Sequence, residues 1–288
     1  MIRCLVAALA ALASVSPSLP EQVPAGDPSA AQGAPTRHTE SATSRYVLVE
    51  LFTSQGCYSC PPADRLLSRL GRESGGQVVP LAFHVDFWNS GGWRDPFSSS
   101  AWSDRQKAYS TALHLKSGYT PQAVVQGLAE MVGSDEERLL AAIASAAARP
   151  AADLSLALEP AASDVTARVQ IRIPPPLRGR RWDLMLALYE TGLVTAVANG
   201  ENKGRELHND YVVRSLRRER LGKNDAVVSE VSSKLPLERD WNRSQVGVVV
   251  FLQDPKSLEI GGVAAQSLRE KMTISRDRES WRMVAPRP

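Results

Sequence analysis

Two cysteines that lie three positions apart, Cys57 and Cys60, separate an apolar run from a segment with helical spacing. The run at residues 46–52 fits a buried strand. Pro61 and Pro62 fit the first turn of a helix, where a missing N–H group costs nothing. A helix N-terminus stabilises a thiolate through its free amides and its dipole, and two intervening residues let the sulfur atoms meet in a disulfide. We therefore expect a redox-active pair in which Cys57, the more exposed of the two, is the attacking thiolate and Cys60 is the resolving thiol.

The N-terminus has the pattern of a signal peptide, with a basic Arg3, an apolar run at residues 4–15 and then small residues. We expect residues 1–16 to be removed during export, so that the protein is periplasmic or secreted. The third cysteine, Cys4, would be lost with this segment. Residues 17–44 are rich in Pro, Ala and Ser and predict a disordered linker. No later run approaches the roughly 20 apolar residues of a membrane span, so we expect no transmembrane segment in the mature chain.

Composition and charge exclude some classes of function. With 43% hydrophobic residues in 288, the chain can build a sizeable core. Its formal net charge of +3 is small for this length, and its basic residues are scattered, which argues against nucleic acid as a partner. No Gly-rich phosphate loop, Gly-x-Ser-x-Gly elbow or His-Glu-x-x-His motif is present, so hydrolase interpretations lack a nucleophile. We expect no cofactor.

The segments after the cysteines alternate between helical and extended patterns. The predicted order of elements over residues 45–150 is β-α-β-α-β-β-α, and its first three elements form a parallel crossover unit. This order, with a Cys-x-x-Cys between the first strand and the first helix, predicts a thioredoxin-like α/β domain. The predicted elements after the cysteines are a helix at 63–70, a strand at 78–85, a helix at 98–115, a hairpin at 119–132 and a helix at 134–148.

Extended segments with alternating polarity dominate residues 151–288. Between residues 165 and 173 every second residue is apolar, which is the pattern of a half-buried strand. We predict a mostly-β, sandwich-like accessory domain here, with one helix inserted at residues 206–221. The polar segment 199–210 is interpreted as a solvated loop that leads into this helix.

Two further residues belong to the predicted redox site, Glu50 and Pro121. Glu50 lies on the first strand and could be a buried carboxylate that moves the proton of Cys60. The alternative is an ion-paired or solvent-facing strand residue. Pro121 could form a cis peptide bond with Thr120 against the disulfide, where the neighbouring backbone would pair with an extended substrate. The alternative is an ordinary edge-strand or turn proline.

A loop at residues 86–97 holds four aromatic residues, among them Trp88 and Trp93. Such density is costly to expose, so these rings either line a substrate groove beside Cys57 or cap the end of the sheet. Tyr58, which lies between the cysteines, either shields the disulfide or contacts substrate. Trp88, Trp93, Tyr58 and the residue before Pro121 are therefore the predicted substrate-binding residues.

The cysteine pair has two other interpretations, a structural disulfide and half of a metal site. A zinc site needs about four ligands, and neither a second Cys-x-x-Cys nor a pair of histidines is present. Copper, which accepts two thiolates and one further ligand, stays open. His84 and Asp86 face the same side of a predicted strand, but two ligands do not make a site, and we favour a structural role for both. We assign no metal ligands.

Several segments closely resemble an exported bacterial family known as domain of unknown function 1223. The matching stretches include VELFTSQGCYSCPPAD around the cysteines, and by residue number they are 49–64, 82–89, 92–97, 105–106, 119–122, 200–202 and 212–214. The resemblance covers nearly all of the mature chain. It implies a thioredoxin-like fold with an added β-rich domain, and it supplies no substrate. The Trp-Cys-Gly-Pro-Cys motif of thioredoxins is absent here, so neither a redox potential nor a partner follows from that comparison.

We expect an exported thiol–disulfide oxidoreductase that acts on protein disulfides through Cys57 and Cys60. Its partners would be protein thiols or disulfides, together with a membrane electron donor or acceptor, and its reduction potential would decide the direction of exchange. The alternative is a non-catalytic periplasmic binding protein, or a copper delivery or assembly factor, that uses the same cysteine pair.

Overall fold

The computed structural model describes residues 46–223 and 228–270; the predicted signal peptide and the predicted linker lie outside them. The elements before residue 150 are β1 (Val47–Thr53), α1 (Pro61–Glu73), β2 (Val78–His84), α2 (Ser100–Ala112), β3 (Gln122–Val125), β4 (Ala129–Val132) and α3 (Glu136–Ala147). The later elements are β5 (Asp153–Pro160), β6 (Asp164–Arg172), β7 (Arg181–Glu190), β8 (Leu193–Ala196), β9 (Glu206–Asn209), β10 (Val212–Lys223), β11 (Val228–Pro236), β12 (Val246–Gln253) and β13 (Ile260–Ser267).

The helices begin at the local signals that the sequence supplies. α1 starts directly after the second cysteine at two prolines, whose missing N–H groups leave no first-turn donor unsatisfied. Its residues Ala63, Leu66 and Leu67 lie on one face and are buried. α2 and α3 begin at side-chain caps, Ser99 and Asp135, which each accept a hydrogen bond from a backbone N–H of the first turn.

One mixed sheet of eight strands contains most of the strands in the described residues, in the order β13-β12-β7-β10-β2-β1-β3-β4. β1 pairs parallel with β2 and antiparallel with β3. The second half of the chain joins at β10, which pairs parallel with β2 at Val212 and Ala82 and antiparallel with β7. Strands from both sides of residue 150 therefore belong to one hydrogen-bonded sheet. A three-stranded sheet, β11-β6-β5, and a hairpin of β8 with β9 lie outside it.

The predicted fold class, a thioredoxin-like α/β domain followed by a sandwich-like β domain, is wrong. The described residues are mostly β, with three α-helices against thirteen strands, and their largest unit is one mixed sheet. The sequence pattern indicates most of the extended segments, but not which strand edges pair. β2 does not end the sheet, because β10 pairs with its free edge. An unpaired edge would leave a row of backbone N–H and C=O groups without partners.

The predicted helix at residues 206–221 is also wrong, because this segment forms β9 and β10. β10 pairs with β7 from Val212 to Lys223, so its backbone hydrogen bonds go to a neighbouring strand. Three charged residues in the middle of β10 are exposed, and they gave the segment the composition of a solvated helix face: Arg217, Arg218 and Arg220.

The two faces of the large sheet carry different layers. α2 covers one face, where it packs over alternate residues of β1, β2, β7 and β12 such as Phe52, Phe83 and Phe251. α1 and α3 pack over the intervening residues of β1 and β3, such as Val49 and Ala123. The three-stranded sheet packs over the intervening residues of β7 and β12. The cysteines, which precede α1, and the helix α2 therefore belong to opposite sides of the sheet.

A buried ion pair connects β1, α2 and β12. Glu50 is 0% exposed, and its Oε1 lies 2.6 Å from Nε of Arg105. Its other oxygen accepts a hydrogen bond from the hydroxyl of Tyr109. Gln253 completes the group, because its Nε2 donates to the Tyr109 hydroxyl at 3.0 Å and its Oε1 accepts from Arg105 at 3.1 Å. Every charged atom of the pair thus has a partner, as a buried ion pair requires.

We predict that Arg105→Leu destabilises the protein by about 3–5 kcal/mol, because it leaves the Glu50 carboxylate buried without a cation. Urea unfolding followed by circular dichroism measures the change. The double variant Glu50→Gln, Arg105→Leu should recover part of the loss, since no isolated charge remains. Arg69→Leu, which breaks the exposed ion pair with Glu136, should leave the midpoint close to that of the wild type. Equal midpoints for Arg105→Leu and the wild type would contradict the assignment.

Candidate functional site

Cys57 and Cys60 form a disulfide at the N-terminus of α1, with their Cα atoms 5.5 Å apart. Cys60 directly precedes the helix, and its carbonyl accepts the first helical hydrogen bonds. The Cys57 amide donates to the Ser54 carbonyl at 3.1 Å, which closes the turn between β1 and the disulfide. The exposed fractions are 1% for Cys57 and 0% for Cys60. The predicted attacking cysteine is thus buried, and both sulfur atoms are covered.

The cover is supplied by the second half of the chain. The β8–β9 hairpin with its connecting loop, residues 193–209, contacts the segment that carries the first cysteine. Nδ2 of Asn202, which is 1% exposed, donates to the carbonyl oxygens of Gln55 and Cys57 at 2.9 Å each. The Tyr58 amide donates to Oε2 of Glu201 at 2.9 Å. We call this segment the cover hairpin.

Gln55, in the turn between β1 and the disulfide, forms hydrogen bonds that hold the cover hairpin in place. It is 1% exposed, and its Nε2 donates to Thr195 Oγ1 at 3.0 Å and to Asn209 Oδ1 at 2.9 Å, one residue on each strand of the hairpin. Its Oε1 accepts a hydrogen bond from Nε1 of Trp93 at 3.2 Å. A single buried amide therefore joins the disulfide turn, the aromatic loop and both strands of the cover hairpin.

The aromatic loop contacts the cover hairpin and the rim of the site. A Cβ on Gly200, whose φ is +74°, would lie 2.9 Å from the Cβ of Trp93, so this position needs glycine on two counts. Tyr58 is 60% exposed, and the Arg205 guanidinium lies 4.5 Å from the centre of its ring. Trp93 and Tyr58, two of the predicted substrate-binding residues, thus flank the loop of the cover hairpin.

Trp88, Thr120 and Pro121 form the other wall of the site. Nε1 of Trp88 donates to Thr120 Oγ1 at 2.8 Å, and the peptide bond between Thr120 and Pro121 is cis, which is one of the two alternatives that the sequence left open. A Cβ on Gly56 would lie 3.0 Å from the Cβ of Trp88, so this tryptophan packs against the residue that precedes Cys57. The structure therefore brings these three predicted residues together beside the disulfide turn.

Glu50 lies elsewhere. Its carboxylate contacts Arg105 and Tyr109 on the face that α2 covers, whereas Cys60 begins the helix on the opposite side. The geometry matches the ion-paired alternative considered for this residue, and its role in moving a proton stays a prediction.

Three buried ionisable residues lie under the disulfide turn: Asp64 on α1, His84 at the end of β2, and Asp95 in the aromatic loop. Nδ1 of His84 lies 2.7 Å from Oδ2 of Asp95, which also accepts from the Gln55 amide at 2.7 Å. Burial acts to lower the pKa of His84, but the charge and hydrogen bond of Asp95 raise it overall. The same pairing holds the pKa of Asp95 below its usual range against the opposing effect of burial.

The sequence pattern pointed to one member of this cluster, His84, and indicated no separate role for Asp64 or Asp95. Asp86, the predicted neighbour of His84, accepts a hydrogen bond from Ser103 instead. Asp64 lies four positions after Cys60, which places it one helical turn further on the same face. That spacing was the available signal. An aspartate in a first helical turn is usually solvated and stabilises the helix dipole, so the pattern alone did not single it out.

Neither a metal-binding cluster nor a membrane-spanning helix is present in the described part of the chain. Within residues 46–223 and 228–270, no group of three or more His, Cys, Asp and Glu side chains is arranged to hold a metal ion. In the same residues, no helix combines the length and apolar character needed to cross a membrane.

Comparison with known proteins identifies the family. A crystal structure of an Agrobacterium tumefaciens protein matches with a TM-score of 0.59 and 27% identity, over 76% of this chain and 92% of that one. HBP35 of Porphyromonas gingivalis matches with a TM-score of 0.59 and 14% identity, over 85% of this chain and 80% of that one, a likeness of fold alone. No curated protein matches. The family described as "Protein of unknown function (DUF1223)" matches residues 48–253, and the chain therefore belongs to this family, which its sequence resembles.

Proposed function

We propose that this protein is an exported thiol–disulfide oxidoreductase that exchanges its Cys57–Cys60 disulfide with protein substrates. The observation that carries the proposal is the position of the disulfide, which joins the last turn before α1 to the residue that begins it. Free amides and the helix dipole at this position stabilise a thiolate and so lower the pKa of a cysteine in the reduced protein.

The exchange balances without a cofactor. In the reducing direction, the Cys57 thiolate attacks one sulfur of a substrate disulfide, which forms a mixed disulfide and releases the other sulfur as a thiolate. The Cys60 thiolate then attacks the Cys57 sulfur, which re-forms the protein disulfide and releases the second substrate thiolate. The protein loses two electrons and the substrate gains them. A membrane electron donor would have to return these electrons, and the oxidising direction would need an acceptor.

The wall formed by Trp88, Thr120 and Pro121 supports the choice of a protein substrate. These residues lie beside the disulfide turn, and Trp88 is only partly buried. Its neighbour Phe87 is 49% exposed. Exposed aromatic rings and an extended backbone beside a reactive disulfide suit an extended peptide segment, whose backbone can pair with a strand edge.

Access to the disulfide requires the cover hairpin to move. Both cysteines are buried in the closed structure, and an attacking sulfur must approach along the axis of the S–S bond. The hairpin has only two short strands and reaches the disulfide turn mainly through hydrogen bonds of Asn202, Glu201 and Gln55. Segments with few buried apolar contacts open at the lowest free-energy cost. We therefore assign this hairpin as the element that gates the site.

Trapping of a mixed disulfide tests the proposed function. Reduced Cys60→Ser protein, mixed with a peptide that carries a single disulfide, should accumulate a mixed disulfide through Cys57, because the resolving thiol is absent. Cys57→Ser is the matched control and should form much less adduct. Non-denaturing mass spectrometry measures both products. The absence of adduct with Cys60→Ser, or equal amounts with the two variants, would contradict the proposal.

Asn202→Ala tests the gate. This variant loses the two hydrogen bonds to the Gln55 and Cys57 carbonyls, worth about 1 kcal/mol each, so the open state should become about thirty-fold more populated. The rate at which dithiothreitol reduces the disulfide should rise in proportion, and trapping of the released thiols measures it. Asn199→Ala changes an exposed residue of the same loop and should react like the wild type. An unchanged rate for Asn202→Ala would show that the hairpin does not limit access.

A further inference from the structure

Two buried carboxylates enclose the disulfide turn from both ends. Asp95 accepts the amide of Gln55, two residues before the first cysteine, at 2.7 Å. Asp64 lies on α1 four residues after Cys60, and its amide donates to the Cys60 carbonyl at 3.1 Å. His84 pairs with Asp95 through Nδ1. None of these ionisable side chains contributes to the exchange steps described above.

The helix geometry places the Asp64 side chain next to the second cysteine. Cys60 has helical backbone angles, φ −76° and ψ −38°, so it continues α1 by one residue. Side chains four positions apart on a helix are neighbours on one face, with Cβ atoms about 5–6 Å apart. Cys60 is 0% exposed and Asp64 is 8% exposed, so water has little access to the space between them. A proton on the buried thiol therefore needs a protein group to receive it.

The charges around Asp64 suit a group that exchanges a proton near neutral pH. Burial raises the pKa of Asp64 to about 6, against the opposing effects of the His84 charge and of the Thr53 side chain; the charge of Asp95 raises this pKa further, and that of Arg65 lowers it. The groups that face His84 are Asp95, Asp64 and Arg214, of which Arg214 lowers the pKa of the imidazole.

One ring nitrogen of His84 is not engaged by Asp95. Nδ1 is held by Asp95, while Nε2 is buried and has no hydrogen-bond partner among the described residues. A buried polar atom without a partner is uncommon and calls for an explanation, such as a catalytic role. The electrostatic interaction between His84 and Asp64 favours the ionised form of each.

We propose that Asp64 accepts the proton of the Cys60 thiol when the mixed disulfide is resolved, and that the His84–Asp95 pair positions and polarises it. This inference rests on the proposed function. In the step, the S–H bond of Cys60 breaks and an O–H bond forms on Asp64. The resulting thiolate attacks the Cys57 sulfur, whose bond to the substrate sulfur breaks with the electron pair leaving on the substrate. Reduction of the protein disulfide runs the same transfer backwards.

Asp64 thus takes the role first considered for Glu50. Glu50 has its charge neutralised by Arg105 on the other side of the sheet, whereas Asp64 shares a helix with the resolving cysteine.

The reaction of reduced protein with oxidised glutathione separates the steps. Attack by Cys57 depends on glutathione concentration, whereas resolution by Cys60 is a first-order step that tryptophan fluorescence in a stopped-flow instrument can follow. In the wild type the resolution rate should rise with pH through an inflection near pH 6, because Asp64 accepts a proton only when ionised. In Asp64→Asn the inflection should disappear and the rate should fall by about a hundred-fold, while the attack step stays within about two-fold.

Glu73→Gln, an exposed carboxylate at the far end of α1, is the matched control and should keep the wild-type profile. An Asp64→Asn variant with the wild-type inflection and rate would overturn the inference and leave the proposed function intact. A wild type that reacts in neither step would defeat the proposed function itself. Time-resolved infrared difference spectra of the resolution step in the wild type give a test without any variant: a carboxyl group should gain a proton as the step proceeds, and an unchanged carboxyl region would also overturn the inference.

Discussion

The parallel pairing of β10 with β2 determines what surrounds the disulfide. Ala82 on β2 donates its amide to the Tyr211 carbonyl at 2.8 Å and lies opposite Val212. Only two residues separate the end of β9 from Val212, and Asn209 at that end accepts a hydrogen bond from Gln55 just after β1, so the cover hairpin ends beside the C-terminal end of β1. Without this pairing, the cover hairpin would be held at the disulfide turn only by its own hydrogen bonds. The sheet therefore determines the fold and also places the hairpin that covers the disulfide.

The site combines a protected disulfide with buried polar groups on both sides. Above it, the Asn202 side chain donates to the carbonyl oxygens of Gln55 and Cys57, and the Gln55 side chain donates to that of Asn209, so the closed state leaves few polar groups unpaired. Below it, the ionisable side chains of Asp64, His84 and Asp95 are buried away from water. A purely structural disulfide needs no such group beneath it. If the protein acts as we propose, protection from solvent together with an internal proton acceptor favours exchange with a chosen partner over reaction with free thiols in solution.

Local features of the site could be predicted from sequence, and long-range ones could not. The strand before Cys57, the helix after Cys60 and the cis bond at Pro121 depend on nearby residues, and all three are present. The cover hairpin depends on pairing between residues about 130 positions apart in sequence, as in the contact of Ala82 with Val212, and periodicity carries no information on such pairing. For the same reason the sequence predicted a thioredoxin-like fold followed by a sandwich-like one, whereas strands from both sides of residue 150 form one mixed sheet.

The reduction potential of the Cys57–Cys60 couple tests the central claim most directly. Purified protein is equilibrated in glutathione or dithiothreitol buffers of known potential, and free thiols are trapped and counted. Our account predicts a reversible two-electron transition between about −120 and −270 mV, the range of redox catalysts, and its position would indicate the direction of exchange. A disulfide that stays oxidised below about −300 mV would instead mark a structural bond and contradict the account.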